Sequence, residues 1–196
     1  MRRYLLLVLI STLFYQCEKS IFNTNQRVIV LQPYDQFSSK ELIELESNLK
    51  KINPNVVTRS SVSFSEKAFV KSRNRYRADS LIKYQQDWIG KDSIIVGITS
   101  KDISVTKNGI QDWGVMGLGY RPGNSCIVST FRLNKHYKKN QFYKVVLHEI
   151  GHTEGLKHCD DKKCLMRDAE GKNVLQQVDD YCDNCKKQLR KNNWKI

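Results

Sequence analysis

His148-Glu149-Ile150-Gly151-His152-Thr153-Glu154-Gly155-Leu156-Lys157-His158 is the stretch on which the reading of this sequence turns. On an α-helix, residues four apart lie one turn apart on the same face, so His148 and His152 can approach one ion from the same side. Glu149 adjoins His148 and is too close to act as an equivalent ligand. It lies beside the ion, where a carboxylate can accept the proton of a water held there. The third imidazole has to come from beyond the helix. Gly155 permits a positive φ, so the helix can stop, the chain can turn sharply, and His158 can return to the ion. Zinc bound by three protein ligands keeps a fourth position for water, whose pKa then falls to about 7. The expectation is therefore a catalytic zinc on His148, His152 and His158, with Glu149 as general base and Gly155 supporting the turn. The plain alternative is a chance H-E-x-x-H on an amphipathic helix. Short matches of that kind are moderately common, but the extended spacing is far rarer, and three of the chain's four histidines fall inside this window. The fourth, His136, sits in a Lys/Tyr-rich stretch and reads as a surface residue.

Cys159 follows His158 directly, and Cys164, Cys182 and Cys185 follow in turn. Two close pairs separated by a loop have the pattern of a structural zinc site with four thiolate ligands and no open position. Such a site couples metal binding to folding, and through Cys159 it would rigidify the segment that presents His158. Two zinc ions are thus expected, one catalytic and one structural. The alternative is two disulfides, Cys159–Cys164 with Cys182–Cys185 or a cross-paired arrangement, which an exported context would favour. Cys126 lies in a strand and reads as a buried thiol.

Upstream of the histidines, residues 140–154 have helical period, with Phe142, Val145, Val146 and Ile150 apolar. Ser93–Thr99 (SIIVGIT) reads as a buried central strand. Residues 27–31 (RVIVL) and 55–64 read as strands. Residues 113–120 and 125–133 read as two more, joined by the turn Arg121-Pro122-Gly123-Asn124. Helices are expected over 38–52, with Leu42, Ile43, Leu45 and Leu49 as the apolar face, and over 75–89, with Leu81, Ile82, Tyr84 and Trp88 inward. This order is α+β, a mixed sheet with helices packed on it. The last forty residues carry few apolar side chains and are expected to need a staple, disulfide or metal.

The chain has 196 residues, enough for one compact domain. Hydrophobic residues at 40% and charged residues at 27% argue for a globular rather than a disordered or membrane-spanning class. The net charge is +13, but the basic clusters are small and none is dense enough to specify a partner, so no nucleic acid is expected. Met1-Arg2-Arg3 followed by an apolar run to Tyr15 is too short to span a bilayer as a helix and reads as a signal peptide over 1–16. Cys17 directly after it is a candidate lipidation site, although Gln16 departs from the small residue usual there. The protein is then exported, as a bacterial cell-envelope lipoprotein or a periplasmic or secreted protein, with membrane anchoring through the Cys17 lipid. The alternatives are an uncleaved signal anchor, or an apolar N-terminal helix in a cytoplasmic protein. Residues 17–26 read as a linker.

Taken together, the run from His148 to Cys159, then Cys164, Leu165 and Met166, and finally Cys182-Asp183-Asn184-Cys185, resembles the archaemetzincin family of the metzincin clan. Residues 95–102 (IVGITSKD), Gly117–Leu118 and 129–133 (STFRL) are also similar to that family's strands. The resemblance implies a metzincin-like catalytic domain over 27–196. Its upper subdomain (27–155) would hold the mixed twisted sheet and the active-site helix, and a small lower subdomain (156–196) the four-cysteine zinc site. It implies that Met166 lies in a turn beneath the catalytic zinc. It also implies a sheet edge near 113–120, where an extended peptide or protein substrate could add as a strand. The expected activity is zinc-dependent hydrolysis of peptide bonds, as an endopeptidase or aminopeptidase. The alternatives are a catalytically inactive zinc-stabilised binding protein and an inactive surface lipoprotein.

Overall fold

The computed structural model describes residues 26–196. The expected signal peptide over 1–16, the lipidation candidate Cys17 and all of the linker but Gln26 lie outside the described residues. The elements are β1 (Val28–Pro33), α1 (Ser39–Lys50), β2 (Val56–Thr58), β3 (Phe69–Val70), β4 (Arg75–Arg77), α2 (Ala78–Gln86), β5 (Ser93–Thr99), β6 (Ile103–Lys107), β7 (Ile110–Val115), β8 (Gly117–Gly119), β9 (Ser125–Ser129), α3 (Lys138–Thr153) and α4 (Asp183–Lys191).

A five-stranded sheet runs in the order β2-β1-β5-β9-β8. Its first four strands are parallel and β8 is antiparallel to β9, which makes the sheet mixed as expected. Ile94, Val96 and Ile98 of β5 are fully buried in the cluster that takes in Leu42, Leu45 and Leu49 of α1 and Phe142, Val145, Val146 and Ile150 of α3. Ile127 of β9 packs instead with Leu81 and Ile82 of α2. Helices therefore cover both faces of β5 and β9, and burial on both faces is why β5 is apolar almost throughout. A smaller sheet, β3-β4-β6-β7, adjoins this body.

Several elements depart from the sequence reading. Ile43 is 70% exposed, because the stripe Leu42, Leu45, Leu49 already meets the sheet and Ile43 lies a hundred degrees round the helix. Tyr84 is likewise exposed, and Gln85 takes the inward place, its amide donating to Cys126 O and its Oε1 accepting from Tyr34 Oη. Residues 75–77 are extended rather than helical because Tyr76 pairs with Ile103 across β4 and β6. The strand expected over 55–64 stops at Thr58: residues 59–63 are exposed, and only an isolated bridge from Val62 to Tyr34 continues the pairing before Phe64 turns in against Tyr34. Residues 113–120 do not form one strand: the chain passes from β7 in one sheet to β8 in the other at Met116.

The tail gains its stability in a way composition did not show. Leu165, Met166, Val174, Leu175, Val178, Tyr181 and Leu189 are buried in the same cluster as α3 rather than in a core of their own. Tyr181 Oη donates to Leu147 O at 2.6 Å, and Lys144 Nζ donates to Leu175 O and Val178 O at 2.9 and 2.7 Å. Helix α4 had no counterpart in the sequence reading, because its short, strongly basic stretch buries only Cys185 and Leu189. No helix among the described residues is long and apolar enough to cross a membrane.

Candidate metal centre

Helix α3 carries His148, Glu149 and His152 on its last turns and stops at Thr153. Gly155 then takes φ +93, and its N–H closes on His152 O at 2.9 Å. That left-handed step is what lets the chain reverse and bring His158 back. The three rings gather with centroids 4.7, 5.5 and 4.9 Å apart, and one nitrogen from each lies within 4.8 Å of the others. Each Nδ1 is already engaged. His148 Nδ1 meets Leu165 O at 2.7 Å, His152 Nδ1 meets Leu156 O at 2.9 Å, and His158 Nδ1 meets Asp168 Oδ2 at 3.3 Å. A carbonyl only accepts, so Nδ1 of His148 and His152 carries the proton and Nε2 presents its lone pair to the shared centre. Burial, with His152 beside it, lowers His148 to about 3, which keeps the imidazole neutral and able to ligate.

Glu149 is 6% exposed, and burial raises its carboxyl to about 8 in the metal-free chain. Strand β8 passes over it so closely that a Cβ on Gly117 would lie 2.5 Å from Oε1. Met166 is fully buried, with its Sδ against α3, where a Cβ on Gly151 would lie 2.6 Å from it. The histidines and Glu149 open into a cleft of about 590 Å³ lined by β7 and β8 above and by residues 165–178 below.

The four C-terminal cysteines converge next to this centre. Cys159 and Cys182 have Sγ atoms 3.7 Å apart, as do Cys164 and Cys185. Zinc–sulfur bonds of about 2.3 Å in a tetrahedron give a sulfur–sulfur edge of about 3.8 Å, whereas a disulfide needs about 2.05 Å. The four are free thiols, and backbone N–H groups of Met166 and Cys182 point at Cys164 Sγ at 3.4 and 3.3 Å, as suits a thiolate. The donor sets therefore fit zinc in both places. Cys126 is fully buried on β9 and belongs to neither cluster, and His136 is exposed.

Sequence reading missed Asp168, which orients His158. Nothing in its spacing marks it, since only the turn after Met166 brings it back. It also missed Arg132, whose position in the cleft depends on the packing of β7.

An open three-histidine centre beside a buried glutamate, on a mixed sheet with an edge strand above the cleft, defines the zinc metallopeptidase class. The family model described as Peptidase family M54 matches residues 7–191. An archaemetzincin from Haloquadratum walsbyi is 31% identical over 150 residues, covering 68% of this chain and 82% of that one. The crystal structure of archaemetzincin from Methanopyrus kandleri superposes with a TM-score of 0.74 at 23% identity, over 88% of this chain and 98% of that one. That of Archaeoglobus fulgidus archaemetzincin, complexed with malonate, gives 0.70 at 26% identity, over 82% and 98%. The chain belongs to peptidase family M54, the archaemetzincins, a family of zinc metallopeptidases.

Proposed function

We propose that this chain hydrolyses peptide bonds with Glu149 as general base and His148, His152 and His158 as the ligands of a catalytic zinc, and that Cys159, Cys164, Cys182 and Cys185 hold a second, structural zinc. Bound at the histidines, zinc supplies a Lewis acid that polarises a carbonyl and acidifies water. Glu149 takes the proton of the attacking water and returns it to the leaving amine. Strand β8 offers its free edge for the backbone of an extended substrate, which holds the scissile bond against Glu149. The observation that carries this reading is that Glu149, with Oε1 close against Gly117 of β8, lines the same open cleft as the three histidines.

The test is Glu149→Gln. Removing a general base costs on the order of a thousandfold in turnover, while zinc content stays at the wild-type level. Normal cleavage in a clean preparation of that variant overturns the assignment. Export with lipidation at Cys17 rests on the charged n-region and apolar run alone. It is tested by whether Cys17→Ser moves the protein from the membrane fraction to the soluble one.

A further inference from the structure

Seven side chains that line the cleft, apart from the histidines, are charged, and their signs are unequal. Five are cations, Lys107, Arg121, Arg132, Arg167 and Lys172, against the two acids Glu149 and Asp168. Asp168 is engaged with His158, and Glu149 is the proposed base. Arg167 bonds only to neutral acceptors, Lys162 O and Gln177 Oε1. Lys107, Arg121 and Lys172 have no carboxylate within ion-pair distance among the described residues. Positive charge in the cleft is thus largely uncompensated, and a partly closed cleft concentrates such a field.

Arg132 stands out because it is fixed. Its Nε and Nη2 both donate to Asp102, at 2.8 Å each, and that carboxylate is 7% exposed. The same Asp102 also accepts from Arg75 Nε at 2.6 Å, so one negative charge serves two guanidiniums and the group keeps a net positive charge. The Arg132 guanidinium lies flat against β7, where a Cβ on Gly114 would be 2.1 Å from Nη2. Its Nη1 has no partner among the described residues, and the side chain is one-third exposed to the cleft. A guanidinium locked in this way presents its remaining donors to an anion with little further loss of freedom.

We infer that the cleft selects peptides with carboxylates flanking the scissile bond, and that Arg132 is a specificity-determining residue that receives one of them. This rests on the peptidase reading for its substrate but not for its chemistry. The experiment uses three matched peptides of one length, with glutamate, glutamine or lysine at the flanking positions. kcat/KM is measured with zinc-loaded wild-type protein, and Kd with zinc-loaded Glu149→Gln. A charge-assisted contact of this kind corresponds to about a tenfold to hundredfold gain in either quantity. The glutamate peptide is expected to lead by that factor and the lysine peptide to trail, with the gaps narrowing at high salt. Arg132→Gln should abolish most of the glutamate advantage. Lys107→Gln, which breaks no buried ion pair, should reduce it even if Arg132→Gln folds poorly. Cleavage of all three peptides at equal efficiency, or a lead for lysine, overturns the inference while leaving the peptidase reading intact. Absence of cleavage together with tighter glutamate-peptide binding sinks the peptidase reading and upholds the inference.

Discussion

His158 and Cys159 are consecutive residues whose side chains belong to two different donor clusters, the three-histidine centre and the four-cysteine centre. Cys159 N–H donates to Met166 O at 2.9 Å, and Met166 N–H points at Cys164 Sγ at 3.4 Å. One short loop thus ties the third imidazole, Met166 and the thiols of Cys159 and Cys164 together.

That tie predicts coupling. Cys182→Ser should lower zinc content by one ion per chain and loosen the segment that presents His158. If several kcal/mol of metal-linked stability is lost, Tm falls by on the order of 10 °C for a chain of this size. Peptide cleavage should fall with it although the histidines are untouched. Elemental analysis and thermal unfolding read both effects, and unchanged values for the variant would show that the cysteines carry no structural ion.

Asp168 holds His158 by its Nδ1 at 3.3 Å. Such outer partners of a ligating histidine are typically worth about 10- to 100-fold in metal affinity. Asp168→Asn, which keeps the shape, should weaken zinc binding at the histidine centre by that factor in a chelator competition. An unchanged affinity would mean that the contact is incidental.

Gly155 isolates the cost of the turn. A Cβ there would meet nothing nearer than 3.6 Å, so space is not the obstacle; φ +93 is. Gly155→Ala should destabilise the fold by about 1–3 kcal/mol in denaturant titration, with weaker zinc retention because His158 is displaced. A neutral substitution would show that the loop has another route back to the metal.

The parts of this molecule that the sequence discloses are those where local chemistry has one solution. The spacing from His148 to His158 fixes a helix, a stop and a return, and the Cys pairs fix a second cluster. The unbroken apolar run of β5 marks a strand covered on both faces. What stayed hidden depends on partners distant in sequence. Residues 113–120 read as one strand because nothing local shows that Met116 is where the chain changes sheets. The tail read as short of core because its buried residues, Val174 to Leu189, join the cluster that includes α3 rather than forming one of their own. Asp168 and Arg132 carry no spacing signature, since each is placed by a turn or a strand that only tertiary packing defines.

The central claim is that the three imidazoles hold the zinc on which peptide hydrolysis depends. Zinc content and peptide cleavage measured side by side on wild-type and His152→Ala protein test it most directly. The account predicts that the variant loses the histidine-centre ion, retains the cysteine-centre ion and cleaves nothing. A His152→Ala protein with wild-type zinc content and wild-type cleavage would contradict it.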